Sequence, residues 1–278
     1  MLDARRNDPP PVIGACLPVE ALAEHRDWLF DMDRDLELQT FHLAETLDGD
    51  WQALADEAAR TLDGFKGRLG IHGPFWGFTV DSLDPEIRAV VTRRMMQGLD
   101  VCARTGANLM VIHSPYSQWT AQNLPNIDGA REKLAEMVRL TLDPVVRRAE
   151  DQGVVLAMEN IQDVDPADRR LLCEAFDSPA LKLSIDTGHA QFAHVSNGAP
   201  PVDYYIRDAG AALAHVHLQD ADGYADRHWS LGEGTIRWRA VFDALAEIEA
   251  APRLVLELRD RARIPEAMGF LEAEGLGR

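Results

Sequence analysis

Six short apolar segments of this sequence each lead into an imidazole or a carboxylate. These side chains are His72, His113, Glu159, Asp186, His217 and Glu257. A charged side chain at the end of an apolar segment is costly to bury unless it is paired or coordinates a metal. Mixed carboxylate and imidazole ligands suit Zn²⁺, Mn²⁺, Co²⁺ or Fe²⁺. The pattern therefore predicts a divalent-metal site, and a buried network of ion pairs is the alternative.

Two local motifs add donors to this set. Asp186-Thr187-Gly188-His189 places a second imidazole just after the sixth segment, and Asp226-Arg227-His228 lies in a long polar stretch after the seventh. Further metal binding and substrate binding are equal alternatives for His72, His113 and His189, since imidazole serves both roles. For Asp226 and His228 the alternative is a solvated pair on a loop.

The elements that must position these residues are eight β-rich segments, separated by amphipathic helical patterns. The segments are residues 12–17, 36–41, 69–75, 109–114, 154–161, 181–186, 213–218 and 254–258. Strands that alternate with helices predict a parallel sheet, and eight repeats in 278 residues favour an α/β fold with one (β/α)₈ TIM barrel. We assign residues 12–278 to this domain and residues 1–11, which are charged and proline-rich, to a flexible tail. The carboxyl ends of the strands then surround one mouth, where the chemistry of such barrels occurs.

The charge composition excludes some classes of binding partner. The formal net charge is −18, and no basic run is longer than two arginines. Such a surface repels phosphate backbones and anionic membranes, so we expect no nucleic-acid partner and no membrane partner. There is no signal-peptide pattern, and the three cysteines show no CxxC spacing. We therefore expect a cytoplasmic protein with reduced thiols.

Seven motifs make the chain resemble the xylose-isomerase-like barrel superfamily, which includes sugar isomerases, ketose 3-epimerases, inosose-processing enzymes and endonuclease IV. They are IHGPF, VIHSP, VLAMEN, SIDTGHA, HVHLQDADG, DRHWSLGEGTIRW and LVLELR. The resemblance implies one Zn, Mn, Co or Mg ion bound by Glu159, Asp186, His217 and Glu257. It also implies that Glu159 and Glu257 act as acid and base. The expected function is isomerisation or epimerisation of a small sugar or polyol-derived carbonyl compound, and relatives of this kind are often homo-oligomers.

Other functions remain open on the same residues. The chain also resembles the three-zinc pattern of endonuclease IV, in which one group would be His72, His113 and Glu159 and another His189, Asp226 and His228. That implies a multinuclear zinc phosphodiesterase, although the loops after the first two strands carry no Lys or Arg to grip phosphates. A dehydratase or lyase acting on a keto acid or inosose would start from the same proton removal, and a non-catalytic binding barrel is a third class.

Two residues are predicted to contact substrate. Trp76 follows the third strand and could stack on a sugar ring, with loop packing or a dimer contact as the alternative. Arg259 lies two residues after Glu257, so strand periodicity aims both side chains the same way. It would hold a carboxylate or phosphate of the substrate, and an ion pair at the barrel rim is the alternative.

Overall fold

The computed structural model describes residues 9–278 and has eight parallel strands in one closed barrel, in the order of the chain. The strands are β1 (Gly14–Leu17), β2 (Leu36–Leu38), β3 (Leu69–His72), β4 (Leu109–His113), β5 (Val155–Glu159), β6 (Leu181–Asp186), β7 (Leu213–Leu218) and β8 (Arg253–Leu256). The predicted (β/α)₈ barrel and the position of every strand are therefore confirmed. Several strands are shorter than predicted, because the flanking residues have already turned into the connecting loops.

The helices surround the barrel and connect successive strands. They are α1 (Leu22–Asp31), α2 (Ala44–Asp48), α3 (Trp51–Thr61), α4 (Pro85–Thr105), α5 (Gln118–Asn123), α6 (Ala130–Gln152), α7 (Pro166–Glu174), α8 (Thr187–Asn197), α9 (Val202–Ala209), α10 (Trp238–Glu247) and α11 (Ile264–Ala273). Pro144 lies inside α6 without dividing it. A proline there removes one backbone hydrogen bond, and packing of the apolar face of α6 preserves the helix.

Local sequence signals set both ends of α4. The Asp84 carboxylate accepts a hydrogen bond from the Glu86 amide, Pro85 occupies the first turn, and Gly106 ends the helix in the left-handed conformation. These are the N-cap, first-turn and C-cap preferences of each residue type. The helix leads from the loop after β3 to β4, whose last residue is His113.

Apolar packing separates the barrel wall from its interior. The main core lies between the strands and the helices, whereas the second apolar cluster is small and is built on Leu109, Val111 and Ala157. Further along the interior the buried side chains are polar, among them Glu37 and His215. This polar interior leads up to the mouth.

The first described residues pair with the last residue of the chain, near the start of β1. Residues 1–8 of the predicted tail lie outside the described residues, and Pro10 and Pro11 accept hydrogen bonds from Arg278. Among the described residues, no helix combines the length and apolarity needed to cross a membrane.

Candidate metal centre

Four buried side chains converge at the mouth of the barrel, at the ends of β5 to β8. They are Glu159, Asp186, His217 and Glu257, and one ligand atom from each lies within 4.8 Å of all the others. The His217 Nδ1 atom is 2.8 Å from Glu159 Oε1 and 3.3 Å from Glu257 Oε2. Glu257 stands one residue beyond β8, and His217 one residue before the end of β7. This group could hold a divalent ion.

Glu159 also belongs to a second group, with His72 and His113. Its Oε2 atom lies 3.7 Å from His72 Nε2 and 3.5 Å from His113 Nε2, and it is buried without a hydrogen-bond partner. These separations are longer than an ordinary hydrogen bond. They are close to the distance between two ligand atoms of a tetrahedral zinc site, which is roughly 3.4 Å when each metal–ligand bond is about 2.1 Å. An unpartnered buried oxygen between two imidazole nitrogens fits a metal better than a hydrogen-bond network does.

A third group lies on the outer side of the mouth and is formed by His189, Asp226 and His228. The Asp226 carboxylate is 3.6 Å from His189 Nε2 and 3.0 Å from His228 Nε2. His189 Nδ1 is in turn 3.7 Å from Asp186 Oδ1, so this group borders the first. The structure thus brings all nine metal-competent residues into three adjoining groups, and Asp226 and His228 are not an isolated surface pair.

Three of these histidines are oriented by backbone carbonyls. The Nδ1 atom of His72 is 2.9 Å from the Gly73 carbonyl, that of His189 2.9 Å from Asn160, and that of His228 3.1 Å from Glu257. Since a carbonyl only accepts, each Nδ1 carries the proton and donates it. Each Nε2 is then directed at a carboxylate, as a metal-binding nitrogen would be.

His228 adopts an uncommon backbone conformation. Its φ angle is +49°, one of three positive values among the non-glycine residues that the structure describes. Left-handed backbone costs about 1 kcal/mol or more for a residue with a Cβ and persists where surrounding contacts impose it. Here the His228 amide donates to Gln219 Oε1, and its ring bridges Asp226 and the Glu257 carbonyl. The strained residue therefore lies at the candidate site.

The two glutamates of the first group have opposite electrostatic surroundings. Burial raises the pKa of Glu257 to about 7, although His217 and His228 act against it. Burial also opposes ionisation of Glu159, but the His217 imidazolium and the hydrogen bonds it donates outweigh burial and hold the pKa of Glu159 well below its usual range. Two carboxyls with opposite shifts in one site are the arrangement that acid and base catalysis requires.

The pKa values of the histidines at the mouth also shift in opposite directions. Burial disfavours the charged form of His228, yet Asp226 and the other nearby carboxylates raise the pKa of His228 to about 9. Burial dominates at His113 and lowers its pKa to about 3. His113 is therefore neutral at physiological pH, whereas His228 holds a proton that a metal ion would displace.

Four polar residues of the site escape prediction from the sequence. Glu37 on β2 lies 3.0 Å from His217 Nε2, and Gln39 donates to Glu257 Oε1. Asn160 pairs with the backbone of Asp186, and Gln219 donates to the carboxylates of Asp186 and Asp226. The available signal was a carboxylate and an amide inside the second strand segment, LELQTF. Such alternation in a strand is usually read as a solvent-facing side.

The two predicted substrate contacts lie at the rim. Trp76 is 61% exposed, and its ring is 5.1 Å from that of Phe75, which stacks on His113 at 4.1 Å. Arg259 is exposed, and its backbone amide donates to the His228 carbonyl. Because β8 ends at Leu256, strand periodicity does not extend to Arg259. The substrate-binding roles of both residues stay predictions.

Known proteins share this architecture. The family model for the xylose isomerase-like TIM barrel matches residues 32–274. The TTHB071 protein of Thermus thermophilus, solved after soaking with ZnCl₂, is 30% identical with a TM-score of 0.70, over 96% of this chain and 99% of that one. A D-tagatose 3-epimerase-like protein has a TM-score of 0.76 at 19% identity, over 95% and 97% of the two chains, which shows the fold alone.

A further relative matches part of the chain. The MJ1311 protein of Methanocaldococcus jannaschii is 25% identical over 194 residues, which cover 67% of this chain and 62% of that protein. The match therefore spans less than two thirds of that relative's length. With the family model covering most of the barrel, the chain belongs to the xylose isomerase-like TIM barrel family.

Proposed function

We propose that this protein is a divalent-metal-dependent isomerase or epimerase that acts on a small sugar or polyol-derived carbonyl compound. The observation that carries the proposal is the convergence of Glu159, Asp186, His217 and Glu257 at one mouth. Glu159 ends β5, and Glu257 directly follows β8. The fold shared with a D-tagatose 3-epimerase-like protein supports a carbohydrate substrate.

The four residues would hold the ion, and the two glutamates would also transfer protons. A bound divalent ion polarises a carbonyl and its neighbouring hydroxyl, which acidifies the hydrogen on the carbon between them. Glu159 and Glu257 reach the mouth from β5 and from the end of β8, so they approach a substrate from different sides. One carboxylate would remove the proton, and the other, as an acid, would return one. Gln39, which donates to Glu257, would hold that carboxyl in place.

A second candidate function is phosphoester hydrolysis at a multinuclear zinc centre. The specific observation that favours it is the set of nine donors in three groups, two of which share Glu159. One ion requires only the first group, and the remaining five donors would then have to be explained as substrate contacts. Paired zinc ions activate water and stabilise both oxygens of a displacement at phosphorus. A relative with 30% identity was solved after soaking with ZnCl₂, which makes zinc the first metal to test.

Metal content and turnover test both candidates. We would measure metal per chain by inductively coupled plasma mass spectrometry. We would then follow deuterium incorporation from D₂O into ketohexoses and inososes, and cleavage of bis-(p-nitrophenyl) phosphate and of abasic-site DNA. About one ion with carbon-bound deuterium supports the isomerase or epimerase, whereas close to three zinc ions with phosphodiester cleavage supports the second candidate. A chain that binds no metal overturns both.

A matched pair of variants tests the glutamate role. Glu257→Gln should lower turnover by at least a hundredfold, since a positioned acid or base contributes about 10²–10⁴-fold. Glu249→Gln is the control, because it makes the same change at an exposed position. This position precedes the first residue of β8, at the end of the strand away from the mouth. If Glu257→Gln retains turnover of an identified substrate, the proposed proton transfer is wrong.

A further inference from the structure

Glu37 is a buried carboxylate below the mouth. It lies in the middle of β2, is 1% exposed, and belongs to none of the three groups formed by the predicted residues. Its neighbours are Cys16 on β1 and the two histidines of β7, His215 and His217. Burial of a carboxylate is costly, so a role in orienting or balancing other groups is expected.

The contact with His217 has a clear direction. Glu37 Oε1 lies 3.0 Å from His217 Nε2, while Nδ1 of the same ring faces Glu159 at 2.8 Å and Glu257 at 3.3 Å. An ionised carboxylate can only accept, so Nε2 carries the proton that it donates to Glu37. By the same argument Nδ1 donates a proton to Glu159 while no ion is bound. An ion that displaces this proton would leave the lone pair on Nδ1, the nitrogen that faces the other ligands of the first group.

His217 differs here from the other histidines at the mouth. His72, His189 and His228 each donate Nδ1–H to a backbone carbonyl and turn Nε2 toward a carboxylate. Among the hydrogen bonds of residues 9–278, the His217 ring has no such carbonyl partner, and its orientation is reversed. Glu37 thus occupies the place that a carbonyl occupies for the other three rings.

A second histidine lies against Glu37 on the side away from His217 Nε2. Its Oε2 atom is 3.2 Å from His215 Nε2, and His215 Nδ1 is 2.9 Å from Ser184 Oγ. The rings of His215 and His217 are 4.6 Å apart and nearly perpendicular. The buried polar side chains are thus in close contact from Ser184 on β6 through His215 to Glu37 and His217, although Glu37 Oε2 and His215 Nε2 do not meet in hydrogen-bond geometry.

We propose that Glu37 is a positioning residue of the metal centre, which fixes the tautomer and orientation of His217 so that Nδ1 binds the ion. This inference rests on the metal centre of the proposed function. Outer partners of this kind raise the basicity of a ligating imidazole, and their loss typically costs 10–100-fold in metal affinity. Because Cys16, Glu37, His217 and Glu257 also bring ligand atoms within 4.8 Å of one another, direct binding of a deeper ion by Glu37 is the competing arrangement.

Three variants separate these arrangements. For the wild type, Glu37→Gln, Glu37→Ala and Cys16→Ala, we would measure Co²⁺ and Zn²⁺ affinity by competition with a chromophoric chelator. We would also record the visible spectrum of the Co²⁺ form, metal per chain, and the unfolding midpoint of the metal-free protein. Glu37→Ala should weaken binding by about 10–100-fold and alter the Co²⁺ spectrum. Glu37→Gln should lose less, because its amide oxygen still accepts from Nε2–H without the charge. Cys16→Ala should change neither affinity nor stoichiometry.

Other outcomes would overturn the inference. Wild-type affinity and spectrum in both Glu37 variants would mean that Glu37 does not act on the ion, and a lower unfolding midpoint alone would make its role merely structural. Loss of one bound ion in both Cys16→Ala and Glu37→Ala would show direct ligation at a deeper site. If Glu37→Ala does not fold, wild-type affinity and a wild-type Co²⁺ spectrum in Glu37→Gln alone overturn the inference, because that variant removes the charge that makes the imidazole more basic. A wild-type protein without metal affinity would instead refute the proposed function on which the inference rests.

Discussion

At the scale of the residue, the candidate centre holds positive charge as protons on His189 and His228. His228 has its pKa raised to about 9 by Asp226 and its neighbours against the effect of burial, and the pKa of His189 is likewise raised, chiefly by Asp186. Each ring is directed at a carboxylate through Nε2. A metal ion that takes the same place must displace these protons.

Metal binding should therefore release protons, and affinity should fall as the pH decreases. Because the pKa of His228 is raised, the ring is protonated below about pH 9, and each proton released makes affinity rise about tenfold per pH unit up to that value. Isothermal titration of Zn²⁺ at pH 7.5, in two buffers of different ionisation enthalpy, gives the number of protons released per ion.

Two variants serve as the comparison for this titration. His228→Ala should release about one proton fewer if His228 is a ligand. His25→Ala alters a histidine on α1, outside the candidate site, and should release as many protons as the wild type. Equal proton release by the wild type and His228→Ala would remove His228 from the ligand set.

At the scale of the element, one carboxylate organises the loop between β7 and α10, which carries Asp226 and His228. Asp220 is buried and accepts hydrogen bonds from the backbone amides of Ala221, Gly232 and Ile236 and from the indole of Trp238. Its own backbone pairs with Trp229 in an antiparallel bridge. The long polar stretch after the seventh strand is therefore an ordered loop anchored at its start.

Asp220→Ala should destabilise the fold by about 3 kcal/mol, because it leaves several buried donors without an acceptor. Chemical denaturation measures this change as a shift of the unfolding midpoint. Asp222→Asn is the control, since it removes the charge of a half-buried carboxylate of the same loop, and its amide oxygen can still accept from Arg227 and the Tyr224 amide. The midpoint of the control should not move, and an equal shift in both variants would argue against the anchoring role of Asp220.

The first turn of α8 packs closely against the side chain of Gln219. A Cβ atom on Gly188 would lie 2.3 Å from the side chain of Gln219, which donates to Asp186 and Asp226. Gly188→Ala should displace Gln219, at a cost of about 1–3 kcal/mol, and should weaken metal binding. Gly269→Ala is the matched control, because this position of α11 has no atom within 4 Å of the added Cβ. The control should gain roughly 0.5–1 kcal/mol, and unfolding and metal titrations of both variants test the prediction.

At the scale of the whole molecule, the barrel concentrates negative charge at its centre. Glu37, Glu159, Asp186 and Glu257 are all buried, in a chain of net charge −18. A divalent ion bound by the folded state alone should stabilise the entire barrel. At a hundred times the dissociation constant it contributes about 2.7 kcal/mol, which corresponds to a rise of roughly 5 °C in the unfolding midpoint.

Differential scanning calorimetry with and without Zn²⁺, after treatment with a chelator, measures this rise. Asp186→Asn should abolish it, because the variant removes an anionic ligand of the first group. Asp243→Asn, an exposed position of α10, should retain it. A rise that persists in Asp186→Asn would mean that the stabilising ion binds elsewhere.

The sequence by itself determined the architecture and most of the donors. The local patterns are eight apolar segments, helix signals such as Asp84-Pro85, and polar residues at the strand ends. Such patterns can be recognised without knowing which strands pair with one another. Once the strands are parallel and closed, their carboxyl ends must meet. That is why the nine donors could be named before their distances were known.

Only the tertiary structure decided how the centre is supported. Glu37 alternates with Leu36 and Leu38, and alternation alone does not tell a solvent-facing side from the inside of a closed barrel. Closure turned Glu37 inward against His217, and it brought together Gln39 and Glu257, which are far apart in the chain. Which nitrogen of each imidazole faces the site likewise depends on contacts between distant strands, and those contacts exist only in the folded barrel.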